Sequence, residues 1–112
     1  MAAYVLIDLE ILDPQGFQEY LQLAAPTVRQ YEGRAIVGGA MSQTLEGDWH
    51  PHLLSIGEFP SVEQALRWYH SDEYAPAREL RLRVTNSKAI IVQGIEGALP
   101  RAEPTPPPHG AH

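Results

Sequence analysis

Leu45-Glu46-Gly47-Asp48-Trp49-His50-Pro51-His52 is followed by an apolar run into Glu58-Phe59-Pro60-Ser61 and then by Trp68-Tyr69-His70-Ser71-Asp72-Glu73-Tyr74. The order is turn, strand, helix cap and aromatic pair. Glu46-Gly47-Asp48 reads as the turn, and Leu53 to Phe59 as a strand. Ser61 with Gln64 opens a helix as a capping box. Val62, Ala65, Leu66 and Tyr69 are expected to form the inner stripe of that helix, with Trp68 off the stripe. Ser71-Asp72-Glu73 caps a further helical segment. Pro76 is expected to interrupt it one turn in.

Upstream, Tyr4 to Ile11 alternates with period two, so Val5, Ile7, Leu9 and Ile11 share one strand face, and Leu6, Asp8 and Glu10 share the other. Asp13-Pro14 reads as N-cap and first helical residue. Phe17, Tyr20, Leu21, Ala24, Val28 and Tyr31 recur at helical spacing. Pro26 is expected to kink or restart that helix, and Gly33 to take the left-handed C-terminal position. Arg34 to Thr44 is a second strand, in which Gly38-Gly39 suggest a bulge or a close approach by another group. Downstream, Leu80 and Val84 carry the apolar side of the last helix, and Lys88 to Ile95 is the fourth strand. The resulting order, β-α-β-β-α-β, is the α+β ferredoxin-like arrangement with a four-stranded antiparallel sheet.

The chain has 112 residues, 10 prolines, no cysteine and a formal net charge of -6. It reads as one domain over residues 1–97, followed by a disordered Pro-rich tail over 98–112. The acidic balance and the lack of a polybasic run argue against nucleic acid. No stretch reaches the roughly 20 apolar residues of a membrane span, and no signal-peptide pattern opens the chain, so a cytoplasmic protein is the expectation. Without cysteine there is no thiolate chemistry. Neither a serine elbow, a phosphate loop nor a dinucleotide fingerprint appears, so no cofactor is called for.

Helices cover one face of such a sheet, and the simplest cover for the other is a second copy. Counting by twos puts His52, Leu54, Ile56 and Glu58 on the face of Leu6, Asp8 and Glu10. Because strands one and three are antiparallel neighbours, a carboxylate of the first falls near His52. A carboxylate–His pair shielded from water is suited to moving protons. We therefore take His52 as the proton shuttle, with Asp8, Glu10 or Glu58 orienting it. Arg34, Trp49, Trp68 and Tyr69 are candidate ligand contacts. The plainer alternative is a wet, hydrogen-bonded and inert cluster at a dimer seam. His50-x-His52 has the spacing of two metal ligands, but two His supply little specificity and Pro51 disturbs the geometry, so no metal is assigned.

Taken together, Tyr4 to Glu10, Asp13-Pro14, Ala25-Pro26-Thr27, Tyr31-Glu32-Gly33-Arg34, Gly38-Gly39, Leu45 to Pro51, Glu58-Phe59-Pro60-Ser61, Trp68-Tyr69-His70-Ser71 and Glu73-Tyr74 resemble the domain-of-unknown-function family 1330, in the dimeric α+β barrel superfamily. The likeness covers residues 3–96. It implies protomers that pair sheet to sheet as homodimers, with superfamily relatives acting without cofactors on small organic molecules. Ala35, Gly38 and His52 stand where that family tends to have an aromatic residue, Arg and Arg, which implies a wider cavity and a weaker anion site. The functional expectation is a barrel that binds a small organic molecule and transforms it by acid–base chemistry without a cofactor. The alternative is a non-catalytic homodimeric metabolite-binding or interaction module.

Overall fold

The computed structural model describes residues 1–95, so the expected Pro-rich tail over 98–112 lies outside the described residues. The elements run β1 (Ala3–Ile11), α1 (Pro14–Gln30), β2 (Arg34–Ala40), β3 (Leu53–Phe59), α2 (Val62–Tyr69), α3 (Ala75–Val84) and β4 (Thr85–Gln93). The strands form one antiparallel sheet in the order β2-β3-β1-β4. This is the α+β ferredoxin-like fold expected from the alternation pattern, with the second helical region split in two.

One sheet face carries the helices and the core. Val5, Ile7 and Leu9 of β1 are buried with Phe59 of β3, Phe17, Tyr20 and Ala24 of α1, and Ala65, Trp68, Ala77, Leu80 and Val84 of the later helices. Asp13 caps α1 by accepting from the Gly16 amide at 3.1 Å, and Ser61 caps α2 by accepting from the Gln64 amide at 3.0 Å. The Gln64 side chain does not close the capping box. It donates instead to the Tyr31 carbonyl and ties α2 to the end of α1.

Several local expectations are corrected. Trp68 lies on the inner face of α2, 3% exposed, while Leu66 is 42% exposed. Ala65 is the residue beside Trp68 against the sheet, because a small side chain lets a short helix approach closely. The Trp68 ring lies 4.0 Å from that of Tyr74 and 5.1 Å from that of Phe59, and its indole N–H donates to Thr27 Oγ1. Pro26 does not restart α1, which runs unbroken through it. The carbonyl it leaves unbonded belongs to Gln22, on the exposed side of the helix, where solvent can reach it. Pro76 does not interrupt a helix but stands in the first turn of α3, where its missing N–H costs nothing. Ser71 instead holds the turn before α3, accepting from the Tyr74 amide.

The left-handed residue after α1 is Glu32 (φ 65°), not Gly33. Gly33 is small for another reason: a Cβ there would stand 2.5 Å from the Phe59 ring. The bulge at Gly38-Gly39 is present, with Gly39 at φ 67° and two register shifts between β2 and β3. It ends β2 at Ala40 rather than Thr44. β4 starts three residues earlier than expected and ends at Gln93. The turn at Glu46-Gly47-Asp48 sits within a longer loop from Met41 to His52.

Behind the sheet, the hydroxyls of Tyr20 and Tyr74 lie 2.9 Å apart. Arg81, 1% exposed, reaches past them to Ser87 Oγ at 2.6 Å. Its Nε and Nη2 find no hydrogen-bond partner among the described residues. Burial pushes the Tyr20 phenol up, and the nearby Tyr74 adds to the rise. Burial disfavours the Arg81 charge, but the tyrosines around it, Tyr74 foremost with Tyr20 and Tyr69, outweigh burial and push its pKa up.

Candidate functional site

The face of the sheet away from the helices is organised in rows by strand register. Glu58, Tyr4 and Val92 form one end row, with Arg34 aligned beside Glu58. Ile56, Leu6 and Ile90 follow, with Val37 aligned beside Ile56. The next row is Leu54, Asp8 and Lys88, and the last pairs Glu10 with Asn86. An apolar band therefore crosses the sheet between two polar ends. Among the described residues no helix lies over it.

His52 stands at the second polar end, where the chain enters β3. Its backbone amide donates to Asp8 Oδ1 at 3.0 Å. Its ring lies between two carboxylates, with Nδ1 3.9 Å from Asp8 Oδ1 and Nε2 4.0 Å from Glu10 Oε2. Alternation along β1 turns both carboxylates to this face, and the short β1–β3 register brings His52 across to them. Asn86 donates to Glu10 Oε1 and fixes the outer carboxylate. Asp8, Glu10, His52, Asn86, Ser87 and Lys88 line a recess of about 240 Å³. A second recess of about 180 Å³ adjoins it, walled by Leu6, Leu54, Ile90 and the Trp49 ring, and Asp8 and Lys88 belong to both.

The structure thus brings Asp8, Glu10, His52 and Trp49 together. Glu58 and Arg34 stand elsewhere. They pair with each other at 3.0 Å at the opposite end of the sheet, six residues from His52 along β3, or about 20 Å by strand rise. Trp68 and Tyr69 lie behind the sheet. Trp68 lines an apolar recess of about 140 Å³ beneath α1, and Tyr69 lines another of about 220 Å³ between α2 and β4. Ala35 borders the recess beneath α1, so the small residue there opens space on the helix side rather than on the open face. His50 turns away from His52, its Nδ1 3.0 Å from Thr44 Oγ1. Among the described residues no group of three or more His, Asp or Glu is disposed to hold a metal ion.

Lys88, Leu6 and Ile90 were not singled out as ligand contacts from the sequence. For Leu6 the signal was there, because β1 parity places it beside Asp8. For Lys88 and Ile90 it was weak, since Ala89-Ile90-Ile91-Val92 is apolar on both faces and hides the parity of β4.

Among solved structures, the chain is similar to the RPA0582 protein of unknown function from Rhodopseudomonas palustris, with a TM-score of 0.67, 18% identity, and coverage of 85% of this chain and 83% of that one. It is similar to SnoaB, a cofactor-independent oxygenase from Streptomyces nogalater, with a TM-score of 0.56, 11% identity, and coverage of 87% and 94%. It is also similar to an ethyl tert-butyl ether d (EthD) family protein from Bacillus halodurans, with a TM-score of 0.55, 15% identity, and coverage of 85% and 100%. At these identities the likeness is one of fold. No curated protein matches the chain. Among the described residues no helix is long and apolar enough to cross a membrane. The family model for DUF1330, a domain of unknown function, matches residues 2–95, and the chain belongs to that family.

Proposed function

We propose that two copies of this chain pack open face to open face and enclose a small, largely apolar organic molecule, on which His52 acts as a cofactor-independent proton shuttle. The observation that carries this reading is the junction of the two recesses, where an imidazole between two carboxylates borders an apolar wall. The open face leaves Ile90 56% and Val92 42% exposed, a surface that a second copy would cover. Asp8 and Glu10 would stabilise positive charge as it forms on the imidazole, and Trp49 would cover the ligand. Glu58 then serves to hold Arg34 at the far end of the enclosed space, while Trp68 and Tyr69 support the sheet from behind. The fold it shares with a cofactor-independent oxygenase is compatible with chemistry of this kind.

The test uses 2-tetralone, a two-ring ketone with acidic protons beside its carbonyl. In deuterium oxide the protein should accelerate exchange of those protons, and His52→Gln should remove the acceleration while sedimentation still shows a dimer. Binding of the probe without accelerated exchange would replace this reading with that of a non-catalytic metabolite-binding dimer.

A further inference from the structure

Among the described residues, the one cation at the junction of the two recesses is Lys88. It borders the polar recess with Asp8, Glu10 and His52, and the apolar one with Leu6, Trp49 and Ile90. Register sets it directly across from Asp8 on β1. Even so, it makes no ion pair with a carboxylate among the described residues, where the pairs on this face are those of His52 and of Arg34. An exposed lysine with an unpaired ammonium is ordinary. An unpaired ammonium at the edge of an apolar wall, one row from an imidazole flanked by carboxylates, is a combination with a use.

A group that takes a proton from carbon leaves an electron pair behind. That pair needs an acceptor, and in a carbonyl compound the acceptor is the oxygen. We propose that Lys88 is the oxyanion-binding residue of this site and that it restricts the substrates to carbonyl compounds with an acidic C–H, ketones or enones carried on an apolar ring system. The inference rests on the proton-shuttle reading above and adds to it the electrophile and the substrate class. In the step, a nitrogen of the neutral His52 ring takes the proton from the carbon next to the carbonyl. The C–H electron pair becomes the new carbon–carbon double bond as the carbonyl π pair moves onto oxygen. The enolate oxygen is held by the Lys88 ammonium, and the imidazolium is held by Asp8 and Glu10. Return of the proton to the same carbon gives exchange, and to a conjugated carbon gives isomerisation. No electrons leave the pair of reactants, so no oxidant or reductant is needed.

The two local carboxylates also explain why the substrate should arrive neutral. A fixed anion approaching Lys88 meets Asp8 and Glu10 as well. An oxygen that becomes negative only as the neighbouring carbon's proton moves to His52 leaves the local charge unchanged.

The experiment uses 2-naphthol, a flat two-ring mimic of an enolate whose ionised form has its own absorption band. In the wild-type protein the bound phenol should ionise more readily than in water, its apparent acidity rising at least about tenfold, as a charge-assisted hydrogen bond to an oxyanion would produce. Lys88→Met should remove that rise, and Lys88→Arg should keep part of it. Naphthalene, which has no oxygen, should bind both variants as it binds wild type, read from Trp49 emission. Equal ionisation of 2-naphthol in wild type and Lys88→Met would overturn the role of Lys88 and leave the pocket standing. Failure of both probes to bind would remove the pocket and this proposal together.

Discussion

The backbone amide of His52 is held by the carboxylate of Asp8 at 3.0 Å, so the residue that enters β3 is anchored to the middle of β1. Asp8 therefore has two tasks, positioning the His52 backbone and facing its ring. The two separate by substitution. Asp8→Asn keeps an oxygen that can accept from the amide, whereas Asp8→Ala leaves the donor without it. We expect Asp8→Ala to lower stability by about 1–2 kcal/mol, as for a hydrogen bond to a charged group, and Asp8→Asn to cost less than half of that. Both should lose the acceleration of proton exchange in 2-tetralone. Urea unfolding and the exchange assay read the two effects independently.

How much of this site could be read from the sequence depends on what strand parity specifies. Parity names a face, and it placed Asp8, Glu10, His52 and Glu58 on the same one. It does not say how far along the face two residues lie, and so Glu58 was grouped with His52 although the register sets it beside Tyr4 and Arg34. Short helices carry a similar ambiguity. In the eight residues of α2, Ala65 belongs to an inner stripe either with Val62, Leu66 and Tyr69 or with Trp68, and the hydrogen bond from Trp68 to Thr27 on a distant helix decides between them. That partner is fixed by tertiary packing, which no local window contains. Asp13-Pro14, Ser61 and Gly38-Gly39 were legible because each acts within a few residues of itself.

Gly33 tests whether a glycine is kept for backbone freedom or for space. Its own φ is not positive, whereas that of Glu32 is, so only the contact with Phe59 demands a missing side chain. Gly33→Ala should lower stability by about 1–3 kcal/mol by overpacking against a ring held between Trp68 and the sheet. Combining it with Phe59→Leu should cost less than the sum of the two single changes, measured as midpoints of urea unfolding. Additive costs would show that the contact is not the cause.

Arg81 is a buried cation whose Nη1 donates to Ser87 and whose Nε and Nη2 find no hydrogen-bond partner among the described residues. Removing the charge while keeping the length relieves a desolvation penalty but gives up the interactions with the tyrosines around it, which outweigh that penalty. Arg81→Met, which keeps the packing, is expected to cost about 1 kcal/mol, while Arg81→Ala should cost about 2 kcal/mol or more by also opening a cavity. Thermal unfolding of the two variants compares them directly. A large loss in Arg81→Met would mean that the guanidinium, and not its packing, is what the Tyr20–Tyr74 pair requires.

Tyr31 donates to Glu73 at 2.8 Å and joins the end of α1 to the turn before α3. That bond holds the Glu73 carboxyl below its usual range and the Tyr31 phenol above its own. A lowered carboxyl contributes stability above its unfolded value, about 4.5, and loses it as the pH falls through the lower folded value. A raised phenol contributes below its unfolded value of 10.0 and loses the contribution as the pH rises through the folded one. The difference in stability between wild type and Tyr31→Phe should therefore be present near neutral pH, shrink below about pH 4 and shrink again above about pH 10. Denaturant titrations at pH 3, 7 and 10.5 would show it, and a constant difference would remove the bond from the account.

The apolar band makes the most direct claim about assembly. Ile56, Leu6 and Ile90 lie in one row across three strands, each on the face opposite the core. A charge placed there should leave the protomer intact, because the buried residues of β1 and β3 point the other way. Ile90→Glu is therefore expected to keep the far-ultraviolet circular dichroism of wild type, to change monomer stability by less than about 1 kcal/mol, and to sediment as a monomer at concentrations where wild type is dimeric. Because the two recesses would then open to water, the variant should also lose naphthalene binding. A wild-type chain that sediments as a monomer, or an Ile90→Glu chain that stays dimeric, would place the contact elsewhere and leave His52 and Lys88 facing solvent.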